Sequence, residues 1–81
     1  MIIKNGRERT LISYSYIYKM AYDGSDNLEY VGTAPTGAAT SEAKWKIMKM
    51  SYSGSNMQDV LYADGGQFTQ IWDNRAALSY A

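Results

Sequence analysis

One nine-residue segment occurs twice in the chain, and this duplication constrains the fold more than any other feature of the sequence. Residues 17–25 read IYKMAYDGS and residues 47–55 read IMKMSYSGS, with six of the nine positions identical. Each copy runs from β-favouring side chains into a turn rich in Gly and Ser, and a second β-like segment follows. The repeat predicts two strand–turn–strand units, at about residues 11–33 and 41–63, with turns of similar geometry at 23–27 and 53–56.

The first predicted strand alternates strictly over residues 11–22. Ile12, Tyr14, Tyr16, Tyr18, Met20 and Tyr22 share one face. Twelve residues at about 3.3 Å each span about 40 Å, which exceeds the width of about 30 Å expected for a compact domain of this size. We therefore expect this strand to bend, or to protrude and offer an edge for another chain.

The remaining segments complete an all-β prediction. Residues 41–50 contain good helix formers, but their alignment with the first copy favours a strand from about Lys44, with at most one helical turn before it. Residues 64–81 are predicted to form a hairpin with strands at 68–72 and 76–80. We predict one domain over residues 11–81, an antiparallel meander or β-sandwich of about six strands, preceded by an N-terminal arm at 1–10.

Composition indicates how such a short domain could be stabilised. The chain has 81 residues, and domains of this size bury little apolar surface. It has no cysteine and no histidine, so neither a disulfide nor a typical zinc site is available, and we expect no cofactor. Oligomerisation is the remaining common route to more burial, and we expect a homo-oligomer or other protein partners.

Charge and hydropathy limit the classes of partner. Eight basic and eight acidic residues give a net charge of zero and are interspersed, which is atypical of a nucleic-acid-binding protein. No run approaches the roughly 18 apolar residues of a membrane span. The apolar start at residues 1–3 is short, and we therefore expect no signal peptide. We expect a soluble protein made in the cytoplasm, with no nucleic-acid or membrane partner.

The tyrosine-rich strand is the candidate interaction surface. Core packing would require a hydrogen-bond partner for each buried phenol, whereas Tyr14, Tyr16 and Tyr18 at a subunit interface could place their hydroxyls at a wet rim. A carbohydrate platform is a third interpretation. The repeat further predicts that Ile17 and Ile47 occupy equivalent buried positions, while Lys19 and Lys49 reach solvent.

Motifs for catalysis or metal binding are incomplete. Residues 23–29 resemble a calcium loop in their alternate oxygen ligands, but Leu28 stands at the position of the required glycine, which favours an Asx turn. Serine nucleophiles lack a histidine to activate them, and thiol chemistry lacks a cysteine. We expect that the protein is not an enzyme.

Residues 73–75, Asp-Asn-Arg, form the most distinctive local sequence, and two interpretations remain open for it. Arg75 could pair with Asp73 or a neighbouring carboxylate and fix a corner between strands. Alternatively, Trp72 and Arg75 could act together as an anchor on a partner.

A family resemblance rests on the second half of the chain. Its motifs are Trp45-x-Ile47, then Tyr52-x-Gly54-Ser55-Asn56, then IWDNR at 71–75 with Leu78 and Tyr80. This combination resembles short β-rich proteins encoded among the virion genes of tailed bacteriophages, marine ones especially, mainly over residues 44–81. The resemblance implies a structural or accessory virion protein, such as a capsid decoration or tail component, made in the host cytoplasm and located in the virion. The alternative is a small ligand- or glycan-binding module that uses Trp45, Trp72 and exposed tyrosines.

Overall fold

A computed structural model describes residues 15–81, and the strands in this range form one antiparallel sheet. Strands β1 (Tyr16–Tyr22) and β2 (Leu28–Pro35) make the first hairpin, and β3 (Ala43–Ser53) and β4 (Asn56–Tyr62) make the second. The order in the sheet is β1-β2-β3-β4, with a short β5 (Gln70–Ile71) also paired to β3. The predicted all-β meander is confirmed. The predicted arm at 1–10 and the first residues of the predicted long strand lie outside the described residues.

Strand β3 forms where helix propensity competes with the repeat. Trp45 and Ile47 are completely buried on one face of β3, while Lys46 between them faces the other side. β3 pairs with β2 through residues 46–49 on one edge and with β4 and β5 on the other, so the centre of the strand is hydrogen-bonded on both edges. Tertiary burial with a period of two therefore overrides the helix-forming side chains of this segment, as the repeat predicts.

The two hairpins have different turns, so the predicted similarity of turn geometry is wrong. In the first turn, Asp23 Oδ1 accepts hydrogen bonds from the backbone N–H groups of Ser25 (2.8 Å) and Asn27 (3.0 Å), which confirms the predicted Asx turn. The second turn is tighter, because Ser53 pairs directly with Asn56. Gly54 begins this two-residue connection with φ of 63°, a conformation that suits glycine.

The predicted C-terminal hairpin at 64–81 is also wrong. The chain makes a 3-10 turn at Asp64–Gly66, the two-residue β5 and a 3-10 helix at Trp72–Ala77, so residues 15–81 form a sheet of five strands rather than six. The physical reason is the limited edge of β3. Met48 pairs with Tyr62, and Ile47 O accepts from Ala63 N–H (3.1 Å), so only the first residues of β3 remain for β5.

The C-terminal segment instead packs across one face of the sheet, which we call the covered face. Its core consists of Tyr30, Ala34, Trp45, Ile47, Ala63 and Trp72. The two tryptophan rings lie 5.8 Å apart at 40°, and Trp45 Nε1 donates to Ala39 O (3.0 Å). This packing satisfies the indole N–H of Trp45 while burying both rings.

The repeated isoleucines and lysines lie on the covered face but differ in burial. Ile47 is fully buried at the centre of β3, whereas Ile17 is half-buried on the outer strand β1. Lys19 is exposed, as predicted, but Lys49 is half-buried, with its Nζ 5.7 Å from the Tyr30 ring centroid and 5.9 Å from that of Tyr80. The corresponding residues of the two copies therefore lie on the same face of the sheet, as the repeat predicts, but they are not equally buried.

Candidate interaction surface: the open face of the sheet

The opposite face of the sheet carries the alternate residues of each strand, and we call it the open face. On β1 these are Tyr16, Tyr18, Met20 and Tyr22. The β1–β2 register sets Tyr18 opposite Thr33 and Met20 opposite Val31. The β2–β3 and β3–β4 registers extend this face across the rest of the sheet. The other side chains of this face are Lys46, Met48, Met50, Val60 and Tyr62, and Phe68 from the loop before β5 lies against it.

Large apolar and aromatic side chains remain accessible on the open face. The exposed fractions are 44% for Tyr16, 62% for Tyr18, 54% for Met20 and 61% for Tyr22. Val60 and Phe68 are also exposed, whereas Val31 and Met50 are buried between their neighbours. Tyr, Phe and Met are the residue types enriched at protein interfaces. A row of them on an outer strand indicates a surface suited to contact.

A shallow groove crosses the open face next to Phe68. Its volume is about 300 Å³, and it is lined by Tyr16, Tyr18, Thr33, Lys46, Met48 and Phe68. The rings of Tyr16 and Phe68 stack with centroids 5.9 Å apart, and Lys46 Nζ lies 5.5 Å from the Tyr62 centroid and 5.9 Å from that of Phe68. The groove can therefore accept a flat apolar group beside a cation.

The structure separates the residues predicted for the interaction surface. Tyr16 and Tyr18 lie together on the open face, and Tyr14 lies outside the described residues. Trp72 is buried on the covered face, so it cannot anchor a partner as the interface interpretation requires. The same burial of Trp45 and Trp72 removes both tryptophans from the predicted carbohydrate platform.

Arg75 packs on Trp72 and, within residues 15–81, makes no ion pair with a carboxylate. Its guanidinium lies 4.6 Å from the Trp72 ring centroid, and Nη1 donates to Trp72 O (3.3 Å). The Asp73 carboxylate instead accepts from Thr40 Oγ1 (3.3 Å), so the predicted Arg75–Asp73 pair is wrong. The ion pair found within residues 15–81 joins Lys44 to Glu42 at 3.5 Å.

Among residues 15–81, two ionisable groups have displaced pKa values, and both lie away from the open face. Burial raises the pKa of Tyr80 to about 12; its hydroxyl donates to Arg75 O (2.8 Å). The pKa of Glu42 is lowered, because its carboxylate accepts from Ala39 N–H (2.7 Å) and lies near the Lys44 ammonium. These shifts bear on the stability of the fold and do not mark a reactive group in the groove.

Several open-face residues were not predicted as site residues. Met20 and Tyr22 share the parity of Tyr16 and Tyr18, so the alternation already placed them on this face. Lys46 and Phe68 carried no such signal, because their position beside Tyr16 follows from the pairing of β3 and from the loop after β4. Long-range pairing therefore builds the groove from segments that look unrelated in sequence.

Comparison with other proteins adds no further guide to the site. No protein-family model, no curated protein and no solved structure matches the chain. Within the described range 15–81, no group of three or more acidic, histidine or cysteine side chains is arranged to hold a metal ion. In the same range, no helix combines the length and apolar character needed to cross a membrane. Inferences about function rest on the open face itself.

Proposed function

We propose that this protein is a structural or accessory component of a tailed-phage virion, a capsid decoration or tail protein that packs against copies of itself and other virion proteins. The observation that carries the assembly role is the exposed row of Tyr16, Tyr18, Met20 and Tyr22 on the outer strand β1. The phage assignment is supported by the resemblance of residues 44–81 to virion-encoded proteins.

The distribution of aromatic residues favours contact over an additional internal role. The covered face already has a closed core built around Trp45, Ile47 and Trp72, with Tyr80 packed beside it. The tyrosines of β1 lie on the other side of the sheet and are not needed to complete that core. Burying their rings against another protein would remove apolar area from water, with a gain of about 25 cal/mol per Å² before the costs of association.

The phenol hydroxyls fit the same role. A tyrosine at an interface can bury its ring and leave its hydroxyl at the hydrated rim, where it finds a hydrogen-bond partner. Tyr18 and Tyr22 are more than half exposed, so such an arrangement requires no rearrangement of the sheet. Assembly through the open face would therefore stabilise a small domain that lacks disulfides.

Sedimentation velocity at several protein concentrations tests the assembly role. The parent protein should sediment as an oligomer at tens of micromolar, and Tyr18→Ser should lower its association state without loss of the β-sheet circular dichroism signal. Asn74→Ser, an exposed change in the 3-10 helix of the C-terminal segment that packs across the covered face, is the control. A parent protein that remains monomeric at every concentration would contradict the assembly role, and neighbouring genes unrelated to capsids or tails would contradict the virion assignment.

The groove supports a second candidate function, recognition of a small ligand or glycan. Aromatic rings beside Thr33 and Lys46 combine apolar contact with polar groups, as in many ligand sites. Retention of the protein on a glycan array, lost in Lys46→Ala and Tyr16→Ala but kept in Lys44→Ala, would support this function. Equal retention of all four proteins would show that the groove is not the binding site.

A further inference from the structure

The two outer strands of the sheet, β1 and β4, each have an edge directed away from their partner strand. Within residues 15–81, β1 pairs only with β2, and β4 pairs only with β3 apart from its last residue. At that residue Tyr62 exchanges two backbone hydrogen bonds of 3.1 Å with Ala81. The edge of β4 that remains available therefore ends at Leu61.

The internal repeat supplies a template for how these two edges fit together. β1 is the sequence copy of β3, with Ile17 corresponding to Ile47. β4 takes the place in the second hairpin that β2 takes in the first, because Ala34 pairs with Ile17 and Ala63 bonds to Ile47. The contact between β2 and β3, which joins the two hairpins, therefore has a counterpart over three residue pairs between β4 of one copy and β1 of another. The fourth pair, Thr33 with Lys46, has no counterpart, because its place on β4 is Tyr62, which already bonds to Ala81.

The register of this counterpart follows directly from the pairs seen between β2 and β3. Tyr30 pairs with Lys49, Val31 with Met48 and Gly32 with Ile47. Transferred through the repeat, these pairs set Asp59 opposite Lys19, Val60 opposite Tyr18 and Leu61 opposite Ile17 of the second copy.

The side chains that meet in this register are complementary. Asp59 and Lys19 are both exposed and carry opposite charges, which favours a cross-strand pair. Val60 and Tyr18 are both exposed on the open face, and Leu61 and Ile17 are both half-buried on the covered face. β-Branched, aromatic and aliphatic pairs of this kind stabilise neighbouring strands.

The backbone groups also match. Thr36 N–H donates to Ser15 O (3.0 Å), so by the antiparallel alternation Ile17 and Lys19 direct their backbone groups to β2, and Tyr18 directs its own outward. On β4, the bond from Ala63 to β3 likewise leaves the groups of Val60 directed outward. Tyr18 and Val60 are the pair that would exchange hydrogen bonds in the transferred register.

We propose that β1 of one copy pairs with β4 of a second copy in the register that β2 and β3 use within the chain, so that one sheet continues from copy to copy. This inference rests on the proposed assembly role and adds a contact along the strand edges, in which Tyr18 of the exposed row meets Val60 of the second copy. The contact is heterologous, because it joins two different edges, and repetition gives a ring or an open array according to the twist between copies.

Charge reversal tests the pairing in the full chain by sedimentation velocity. Lys19→Asp and Asp59→Lys each place like charges opposite one another and should weaken association about tenfold or more. The double variant, or an equimolar mixture of the two single variants, should regain the parent's association. Lys44→Asp and Asp73→Lys reverse exposed charges elsewhere and should associate as the parent does.

A cross-linking experiment provides a second readout, since the parent chain has no cysteine. Ile17→Cys and Leu61→Cys would lie opposite each other at a non-hydrogen-bonded pair, about 4.5 Å apart at Cα, which is within disulfide range. Oxidation of the mixture should give a cross-linked heterodimer, while either variant alone should not form a dimer. Dimers of Ile17→Cys alone would instead show that β1 pairs with itself and would overturn the proposal.

The outcomes separate this proposal from the proposed function. If Tyr18→Ser lowers association but both single charge reversals leave it unchanged, the assembly role holds and the β1–β4 pairing is overturned. The same conclusion follows if the double variant and the mixture fail to regain association while circular dichroism shows them folded. A parent protein that never associates overturns both.

Discussion

The six-membered ring of Trp72 lies directly on the backbone of Gly32. A methyl group at the Gly32 Cα would stand 2.5 Å from Trp72 Cε3 and 3.0 Å from Trp45 Cε3. Gly32 is in the middle of β2, where glycine is otherwise unfavourable. The missing side chain is therefore the space that the tryptophan pair occupies.

Gly32→Ala should consequently destabilise the protein near the upper end of the range of about 1–3 kcal/mol seen for overpacked cores. Neither ring can move far, since Trp45 and Trp72 are both buried. Urea denaturation followed by tryptophan fluorescence measures the change. Gly24→Ala is the matched control, because nothing lies within 4 Å of its added methyl group. Equal stability of the two variants would contradict the packing described above.

Ile47→Ala should lower the free energy of unfolding by about 2–4 kcal/mol, because a fully buried side chain leaves a cavity in the core. Ile17→Ala should cost clearly less, since Ile17 is half-buried on the outer strand. The two variants differ only in which copy of the repeat is changed, so each is the other's control in a denaturant titration. A larger loss of stability for Ile17→Ala would show that Ile17, and not Ile47, is the more deeply buried of the two isoleucines.

Asp23→Ala should destabilise the first hairpin by about 1–2 kcal/mol, through loss of the two hydrogen bonds that its carboxylate accepts from Ser25 and Asn27. Ser53 occupies the corresponding place in the second copy of the repeat. Ser53→Ala should change stability by less than about 0.5 kcal/mol. Thermal unfolding of the two variants checks this difference. Similar losses of stability would mean that the second turn depends on the Ser53 side chain as much as the first depends on Asp23.

The stability of the protein should fall at alkaline pH in part through Tyr80. Its folded-state pKa of about 12 lies above the ordinary value of 10.0, so folding favours the neutral phenol. The contribution is complete below pH 10 and is lost as the pH rises through 12. Denaturation of the parent and of Tyr80→Phe at several alkaline pH values measures it, and the stability difference between them should shrink across this window. A constant difference would exclude the expected linkage.

Glu42 should contribute to the pH dependence in the opposite direction. Its folded-state pKa is lowered by the hydrogen bond from Ala39 N–H and by Lys44, so the contribution is present above the unfolded pKa. It is lost as the pH falls through the folded-state value. Glu42→Gln should flatten this acid limb in denaturation curves measured from neutral to acid pH, and an acid limb that is the same in Glu42→Gln and the parent would exclude the contribution.

The repeat and the residue alternation predicted the strands of the two hairpins, although the second turn is tighter than the first, and prediction failed where the structure depends on distant contacts. Strands β1 to β4 and the Asx turn at Asp23 follow from alternation and turn chemistry, both of which act over a few residues. The path of the C-terminal third does not follow from local pattern. It is set by the part of the β3 edge that β4 leaves unpaired and by the space above Gly32 that Trp72 fills. Neither constraint is visible in residues 64–81 themselves.

The residues predicted for the interaction surface divide in the same way, into those placed by local alternation and those placed by distant contacts. Parity placed Tyr16 and Tyr18 on one face, and the structure leaves that face accessible. Trp72 could not be assigned from its residue type, because tryptophan is equally suited to a core and to an interface, and its burial comes from contact with Trp45. The position of Arg75 depends on that of Trp72, since its guanidinium lies on the Trp72 ring.

Strand β3 meets its partners at very different distances along the chain, and this has a consequence for the order of folding. Ser53 and Asn56 are joined through a two-residue turn, whereas Ala43 meets Ile71 only after β4 and the following loop are in place. Because closing a longer loop costs more chain entropy, the second hairpin should form early and β5 should dock late. The tryptophan pair would then be absent from the folding transition state. Weakening it should speed unfolding far more than it slows folding, so the lifetime of the native state is controlled from the end of the sheet that assembles last.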